Sequence, residues 1–224
     1  MHSAIIVEGL ESVGFVHVAE PLKASEYRTL ASSIGAIVGD EQIALRPGAH
    51  AYVAKPGPVP LHTDHPEVDV VAWHCEEQDV LDGASLLLDT RPVVAGLPCR
   101  QRNLLNEVML ACPPLKGGPP MEQHPVLRTT PLGVAVFCSP WLRSASPIPS
   151  HEAALESFRM ELSTRAKERV FRIRLRAGEA LFVDNRRVLH GRAAIVETSR
   201  RRLQRLWIQR REIRTLLGEE DGQC

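Results

Sequence analysis

The clearest alternation of apolar and polar residues lies near the C-terminal end of the chain. In residues 171–176, three apolar side chains alternate with three arginines, which predicts a strand with one buried face and one solvated arginine face. Residues 177–179 favour a turn, and the apolar run 180–183 predicts a second strand. We expect a final strand at about residues 201–209.

Shorter runs of the same kind occur in the first half of the chain. Residues 14–18 predict a short strand, and residues 46–91 alternate short apolar runs with turn residues, as in a barrel or sandwich of short strands. Residues 113–125 are rich in proline and glycine, so we expect an exposed excursion there without a helix or a central strand. Loops of this kind often cover active sites.

Two segments have apolar residues at helical spacing. Residues 22–34 predict an amphipathic helix with Ser25 as its cap, and residues 151–165 predict a second helix that Ser150 begins. Together with the strands, these segments indicate a mainly β protein with flanking helices, an α+β arrangement. At 224 residues, we expect a single domain with a core at about residues 12–210 and a short C-terminal tail.

Charge and composition add little about function. The chain has 27 Lys+Arg and 27 Asp+Glu residues, so no global field favours nucleic acid or an anionic membrane. No basic segment leads into a long apolar run, and no apolar stretch approaches the roughly 20 residues of a membrane span. We therefore expect a soluble cytoplasmic protein whose partner is a small molecule, and the oligomeric state stays open.

The five cysteines have no CxxC spacing, so the pattern suggests neither a disulfide framework nor a thiolate zinc site. We expect reduced and mostly buried thiols. Cys224, the last residue, is expected to be free and exposed.

His62 and Asp64 are the first candidate metal ligands. Two residues apart on an extended strand, they project from the same face. His190 follows an apolar strand and is a plausible third ligand at a barrel mouth. Two histidines and one carboxylate leave open positions that suit non-haem iron(II), although the same three ligands could hold zinc.

Other histidines compete for the ligand roles. His65 is the most serious competitor, but it follows Asp64 directly and so points to the opposite face of a strand, as a surface or supporting group. The remaining competitors are His50, His74, His124 and His151.

Several ordered motifs resemble the taurine dioxygenase-like and clavaminate synthase-like branch of the 2-oxoglutarate oxygenases. They cover most of residues 12–210. The motifs are Gly14-Phe15-Val16, Pro60-Leu61-His62-Thr63-Asp64-His65-Pro66, Asp82-Gly83-Ala84-Ser85-Leu86, Gly178-Glu179-Ala180, Asp184-Asn185-Arg186-Arg187-Val188-Leu189-His190-Gly191-Arg192 and Arg201-Arg202-Leu203-Gln204-Arg205.

This resemblance implies a double-stranded β-helix, a jelly-roll, cupin-like barrel with helices outside. By position, His62, Asp64 and His190 would be the iron ligands. Ser85 stands where the family has a threonine, and it keeps a hydroxyl for the 2-oxoglutarate carboxylate. Arg201, eleven residues after His190, matches the arginine that pairs with the far carboxylate of 2-oxoglutarate.

Further along the same strand face, Arg205 would help to hold the co-substrate or a substrate carboxylate. Trp141 and Arg143 are weaker candidates for substrate contact. The opposing interpretation is a solvated basic tail, since arginines thicken the segment 200–214. Burial of Leu203 and Trp207 on the same face would argue against that tail.

The resemblance implies an Fe(II)- and 2-oxoglutarate-dependent dioxygenase that uses O₂ and releases succinate and CO₂. Hydroxylation is the default outcome, and desaturation, cyclisation or epoxidation stay open. The substrate would be a small polar molecule, for example an amino acid or an amino-acid-derived metabolite of specialised metabolism. Alternatives are a non-catalytic metal-binding jelly-roll that serves as a sensor or scaffold, and a nucleic-acid-binding protein that uses residues 200–214.

Overall fold

In the computed structural model of this protein, antiparallel strands lie at the centre and helices pack outside them. The structure describes residues 2–46, 48–49, 51–117, 120–145 and 148–210. The α-helices are α1 (His2–Ser12), α2 (Ala24–Ile34), α3 (Arg91–Gly96), α4 (Cys99–Glu107) and α5 (Pro149–Arg169), and a 3-10 turn covers Tyr52–Ala54. The strands are β1 (Phe15–Val18), β2 (Ala36–Ala44), β3 (Val59–His62), β4 (Val70–Glu77), β5 (Ser85–Asp89), β6 (Met109–Cys112), β7 (Glu122–Pro125), β8 (Leu127–Thr130), β9 (Gly133–Val136), β10 (Phe171–Ile173), β11 (Ala180–Asp184), β12 (Val188–Arg192) and β13 (Arg202–Gln209).

Two larger sheets organise these strands. One has five strands in the order β1-β11-β4-β13-β2, and the other has four in the order β10-β5-β12-β3. Strands β6 and β7 form a separate hairpin, and so do β8 and β9. Each of these strand pairs is antiparallel, and consecutive neighbours in a sheet are often distant in sequence.

Apolar side chains fill the space between the two larger sheets. Leu181 and Leu203 of the five-stranded sheet share one buried cluster with Leu87 and Val188 of the four-stranded sheet. The sheets therefore face each other. Helices α1 and α2 cover the outer face of the five-stranded sheet. Helices α3, α4 and α5 and the two hairpins pack on the outer face of the four-stranded sheet. The prediction of a mainly β protein with flanking helices is confirmed.

Some details of the predicted elements were wrong. Ser25 does not cap α2, because the helix begins at Ala24 and the backbone N–H of Lys23 donates to Glu26 Oε2. Ser150 likewise lies inside α5 rather than at its cap. The strand predicted for residues 171–176 ends at Ile173.

The arginine face of that strand is not simply solvated. Arg172 donates to Asp82 Oδ2 at 2.8 Å, and Arg174 donates to the backbone oxygens of Asp79 and Asp82. These bonds hold the loop that precedes β5. The alternation therefore predicted the direction of the arginines but not their partners.

Helix α1 and strand β2 had no counterpart in the sequence prediction. The predicted excursion is mostly exposed, but its last residues form β7 and pair with β6. Cys75, Cys112 and Cys138 are buried free thiols and Cys99 is exposed, whereas Cys224, His50 and the proposed tail 211–224 lie outside the described residues. Among the described helices, none combines the length and the apolar character that a bilayer span requires.

Candidate metal centre

The fold brings His62, Asp64 and His190 together. His62 is the last residue of β3 and pairs directly with His190 of β12, so the two rings share the inner face and their centroids lie 4.5 Å apart. Asp64 lies beyond the end of β3, where its N–H donates to Asn185 Oδ1 at 2.7 Å. One donor atom from each of the three residues lies within 4.8 Å of the others.

The orientation of His62 is set by a backbone bond. Its Nδ1 lies 2.8 Å from the carbonyl oxygen of Pro60, and because a carbonyl only accepts, Nδ1 carries the proton. Nε2 then has a free lone pair that it can donate to a metal ion, and it lies 3.5 Å from Asp64 Oδ1. His190 Nε2 lies 3.6 Å from the same oxygen. A backbone carbonyl that accepts the second ring N–H, as Pro60 does for His62, is a usual support of a ligating histidine.

The other carboxylate oxygen of Asp64 is occupied by protein donors. Trp207 Nε1 donates to Oδ2 at 2.7 Å, and Arg205 Nη1 donates to it at 3.1 Å. Burial by itself raises the pKa of Asp64, but the positive charge of Arg205 holds that pKa well below its usual range. Asp64 is therefore a carboxylate with Oδ1 turned toward the two imidazoles.

The unpartnered ring of His190 supports a metal ion between these side chains. Its ring is buried, and neither ring nitrogen has a hydrogen-bond partner among the described residues. Burial, with a further contribution from His62, lowers the pKa of His190 to about 4, so the ring is neutral near pH 7. A buried neutral imidazole without a partner is an unusual feature that a divalent metal ion would explain.

A narrow cavity of about 40 Å³ adjoins His62 and His190. The cavity is also lined by Ser85, Arg201 and Arg205, which are the residues expected to contact the co-substrate. It has room for only a few water molecules. A molecule of the size of 2-oxoglutarate therefore requires the side chains around it to move.

Arg201 is a buried arginine with unused donors. Its Nε donates to Gln78 Oε1 at 3.1 Å, while its two Nη atoms have no hydrogen-bond partner among the described residues. Burial, followed by repulsion from Arg192, lowers the pKa of Arg201 to about 10. A carboxylate bound at this guanidinium would relieve both effects.

Arg192 was not predicted to line the cavity. It pairs with Ser85 across β12 and β5, and its guanidinium donates to the carbonyl oxygens of Val53, Lys55 and Gly57. The alternation of a strand could have found it, since a residue two positions after His190 shares the same face. The contacts of Trp207 and Asn185 with Asp64 were also missed.

The substrate candidates differ in position. The Trp141 ring lies 4.7 Å from the ring of His62 and stacks on Tyr52 at 5.0 Å. Arg143 is exposed and does not line the cavity. Of the pair, only Trp141 is next to the centre.

The competing histidines lie elsewhere. His74 Nε2 bonds the backbone oxygen of Leu22, and His151 lies 3.4 Å from Glu107. His65 faces away from the centre, as expected, and lies beside His124.

A comparison with protein families matches residues 3–207 to the family described as taurine catabolism dioxygenase TauD, TfdA family. The chain belongs to this family. The resemblance seen in the sequence motifs is therefore confirmed, and so is the class of dioxygenases to which it pointed. Comparison with curated proteins finds no matching relative.

Several solved structures share the fold of this TauD/TfdA family chain. Asparagine oxygenase in complex with Fe(II), 2S,3S-3-hydroxyasparagine and succinate is 16% identical with a TM-score of 0.70, over 92% of this chain and 78% of that chain. The non-haem iron oxygenase OrfP in complex with (3S)-hydroxy-L-Arg is 14% identical with a TM-score of 0.72, over 93% and 80%. PvcB from Pseudomonas aeruginosa is 18% identical with a TM-score of 0.67, over 92% and 79%.

Proposed function

We propose that this protein is an Fe(II)- and 2-oxoglutarate-dependent oxygenase that acts on an amino acid or an amino-acid-derived small molecule. The observation that carries the proposal is the convergence of His62, Asp64 and His190 beside a cavity that contains a buried arginine with unused donors. Family membership supports the same activity.

The three converging residues would hold iron(II) through one atom each. When bound, iron(II) with 2-oxoglutarate and O₂ supplies the oxidising chemistry that inserts oxygen into a C–H bond and releases succinate and CO₂. His62 and His190 would contribute one imidazole nitrogen each. The carboxylate of Asp64 contributes Oδ1, while Trp207 and Arg205 keep Oδ2 turned away.

Arg201 and Ser85 are the proposed contacts of the co-substrate. The guanidinium of Arg201 would bind the far carboxylate of 2-oxoglutarate, because it lines the cavity and both of its Nη atoms are unused donors. Ser85 lies at the start of β5, the strand that pairs with β12, and its hydroxyl would donate to a carboxylate of 2-oxoglutarate. Both groups select a dicarboxylate over a neutral oxo-compound.

An amino acid is the proposed substrate class for two reasons. The similar structures include asparagine oxygenase and an oxygenase bound to hydroxy-L-Arg. In this chain, Arg205 and Glu41 form a 2.6 Å ion pair close to Asp64, which offers complementary partners for an α-carboxylate and an α-ammonium group. Trp141 and Tyr52, beside His62, would pack against the substrate side chain.

We also propose that the two facing sheets close a double-stranded β-helix and that the chain forms one domain. Its core begins before the expected boundary at about residue 12, because Ile6 and Leu10 are buried. The apolar cluster shared between the sheets and the metal-centre residues on their inner faces support this arrangement.

The two rival functions find less support. A non-catalytic sensor or scaffold would be expected to have a broken ligand set or to lack Arg201, and this chain keeps all four residues. A nucleic-acid-binding tail would need several free, exposed arginines, but Arg201 and Arg210 are buried and Arg205 bonds to Asp64. Arg200 and Arg202 are exposed, and Arg202 is already paired with Glu76. Arg211 and Arg214 lie outside the described residues.

An anaerobic titration tests the proposed function. Protein with Fe(II) and 2-oxoglutarate should develop a weak visible metal-to-ligand band, which His190→Ala should abolish. Arg201→Ala should weaken 2-oxoglutarate binding at least about tenfold, as expected when a charged hydrogen bond is lost. Arg202→Ala, which removes an exposed arginine bonded to Glu76, is the matched control and should leave the band unchanged.

Tight zinc binding without any such band would overturn the proposal. The substrate would be sought by screening free amino acids and their derivatives for succinate release. Substrates should show a coupled gain of one oxygen in the product, or a loss of two hydrogens if desaturation occurs.

A further inference from the structure

A second group of metal-binding side chains lies on the β6–β7 hairpin. Cys112 at the end of β6 pairs directly with Glu122 at the start of β7, and His124 follows two residues later. Side chains two positions apart on a strand share a face, so Glu122 and His124 project on the same side as their partner Cys112. The hairpin therefore presents a thiol, a carboxylate and an imidazole together.

His65 completes the group from a different part of the fold. Its side chain is only 7% exposed, and its Nε2 has no hydrogen-bond partner among the described residues. The Nε2 atom lies 3.5 Å from Glu122 Oε2, and His124 Nε2 lies 3.2 Å from the same oxygen. One donor atom from each of His65, Cys112 and His124 lies within 4.8 Å of the others.

We propose that His65, Cys112 and His124, with Glu122 as a fourth ligand, form a zinc site separate from the iron centre. Two imidazoles, a thiolate and a carboxylate are ligands that zinc accepts in tetrahedral sites. Zinc–ligand bonds of about 2.0–2.3 Å place tetrahedral donors about 3.5 Å apart. The donor atoms of His65, Cys112 and His124, which lie within 4.8 Å of one another, therefore need to approach by at most about 1.3 Å.

Hydrogen bonds of normal geometry do not account for the cluster. The single oxygen Oε2 of Glu122 lies near both imidazoles, and the backbone carbonyl of Pro113 is a further acceptor that acts on the His65 ring, yet neither makes a hydrogen bond of normal geometry to the buried Nε2. His65 Nδ1 accepts a 3.2 Å bond from the Glu67 N–H. Coordination through Nε2 moves the ring proton to Nδ1, so this long bond breaks when the metal binds.

Cys112 binds the metal as a thiolate. Burial raises the pKa of the Cys112 thiol to about 11, and Glu122 and Glu67 add to the effect. The metal-free thiol is therefore protonated. On binding, the S–H bond breaks, the S–Zn bond forms and the proton leaves to solvent, with no change of oxidation state.

The location indicates a structural role. His65 directly follows Asp64 in the chain and faces the opposite way, so a zinc ion there would tie the β6–β7 hairpin to the segment that carries His62 and Asp64. Four protein ligands leave no open position, as in structural zinc sites. The ion would stiffen one wall of the iron centre without taking part in its chemistry.

Cobalt(II) substitution tests the proposal with the full chain. Only a thiolate ligand produces an intense sulfur-to-cobalt charge-transfer band in the near ultraviolet, and the iron centre has no sulfur ligand. We expect the band in the wild-type protein, its loss on addition of zinc and its loss in Cys112→Ser. Cys99→Ser, which removes the one exposed thiol among the described cysteines, is the control and should keep the band.

A protein without the band, or a band that survives in Cys112→Ser, would overturn the zinc site. Should Cys112→Ser fail to fold, His124→Ala replaces it, because this side chain is partly exposed at 17%. It should lower cobalt affinity at the thiolate site by at least about tenfold, and an unchanged affinity would be equally decisive against the proposal. None of these results depends on iron, 2-oxoglutarate or turnover.

Discussion

At the scale of single residues, the two oxygens of Asp64 have different neighbours. Oδ1 lies 3.5 and 3.6 Å from the Nε2 atoms of His62 and His190, whereas Oδ2 accepts bonds from Trp207 and Arg205. A carboxylate held in this way offers one oxygen to a metal and cannot rotate freely. The donors at Oδ2 should therefore contribute to metal affinity without touching the metal.

Trp207→Phe tests this contribution. The change keeps an aromatic ring but removes the Nε1 donor at 2.7 Å, so Asp64 loses a fixed orientation. We expect iron(II) affinity to fall by about 10- to 100-fold, measured by anaerobic titration. Trp141→Phe alters another indole beside His62 that has no bond to Asp64, and it should leave the affinity unchanged. Equal losses in both variants would contradict the role of Oδ2.

The buried His190 predicts a pH dependence of stability for the metal-free protein. Its pKa is about 4 in the folded state against 6.5 in a free side chain. Between these values the unfolded chain takes up a proton and the folded chain does not, so the free energy of unfolding decreases as the pH falls from 6.5 to 4. Below pH 4 both states are protonated and the effect levels off.

His190→Gln should remove this slope, which amounts to roughly 3 kcal/mol over the whole window. Urea unfolding at a series of pH values, compared between wild type and variant, isolates the contribution from those of other titrating groups. An identical pH dependence in the two proteins would show that His190 does not keep a lowered pKa.

The types and the order of the metal ligands could be predicted, but their supports could not. His62, Asp64 and His190 stand out because residue type and spacing are local properties of the sequence. Asn185 and Trp207 reach Asp64 from 121 and 143 residues away, through strand pairings that no local pattern specifies. The cluster of His65, Cys112 and His124 was missed for the same reason, since its cysteine has no nearby partner in sequence.

At the scale of elements, the close contact between β3 and β12 aligns the two histidines. Gly191 follows His190, and a side chain at this position would meet the backbone of β3. A Cβ atom there would lie 2.6 Å from the backbone oxygen of Val59 and 3.2 Å from the nitrogen of Leu61. The glycine therefore permits the strand spacing on which the pairing of His62 with His190 depends.

Gly191→Ala should push the two strands apart. Because the obstacles are backbone atoms, we expect a loss of about 1–3 kcal/mol in the free energy of unfolding, together with weaker metal binding. Gly96→Ala is the matched control, since nothing lies within 4 Å of a Cβ atom at that position. Metal binding by Gly191→Ala at wild-type affinity would mean that the histidine pair tolerates a wider spacing.

Elements with a clear apolar face or run in the sequence were predictable, and the edge strand β2, which has neither, was not. Helix α2, helix α5 and strand β11 each have a clear apolar face or run in the sequence. Strand β2 lies at an edge of its sheet, and most of its side chains are exposed or half-buried, so no alternation distinguishes it from a loop. Its identity depends on pairing with β13, which only the folded chain supplies.

At the scale of the whole molecule, apolar clusters lie on both sides of each larger sheet. Helices α1 and α2 pack on the outer face of the five-stranded sheet through residues such as Leu10 and Phe182. The metal centre and its cavity lie on the inner faces. Substitutions in the outer helix layer should therefore change the free energy of unfolding without changing metal affinity, as is usual for distant sites.

Leu10→Ala tests this separation. Leu10 is fully buried, so its truncation should reduce the free energy of unfolding by about 2–5 kcal/mol, measured by urea unfolding. Ile5→Ala in the same helix removes a side chain that is 56% exposed, and it should change stability by less than about 0.5 kcal/mol. In both variants the folded protein should bind iron(II) as tightly as wild type. Weaker binding by folded Leu10→Ala would instead show that the five-stranded sheet transmits changes in its helix layer to the metal centre. Helix α1, which the sequence patterns did not predict, would then contribute to function as well as to the fold.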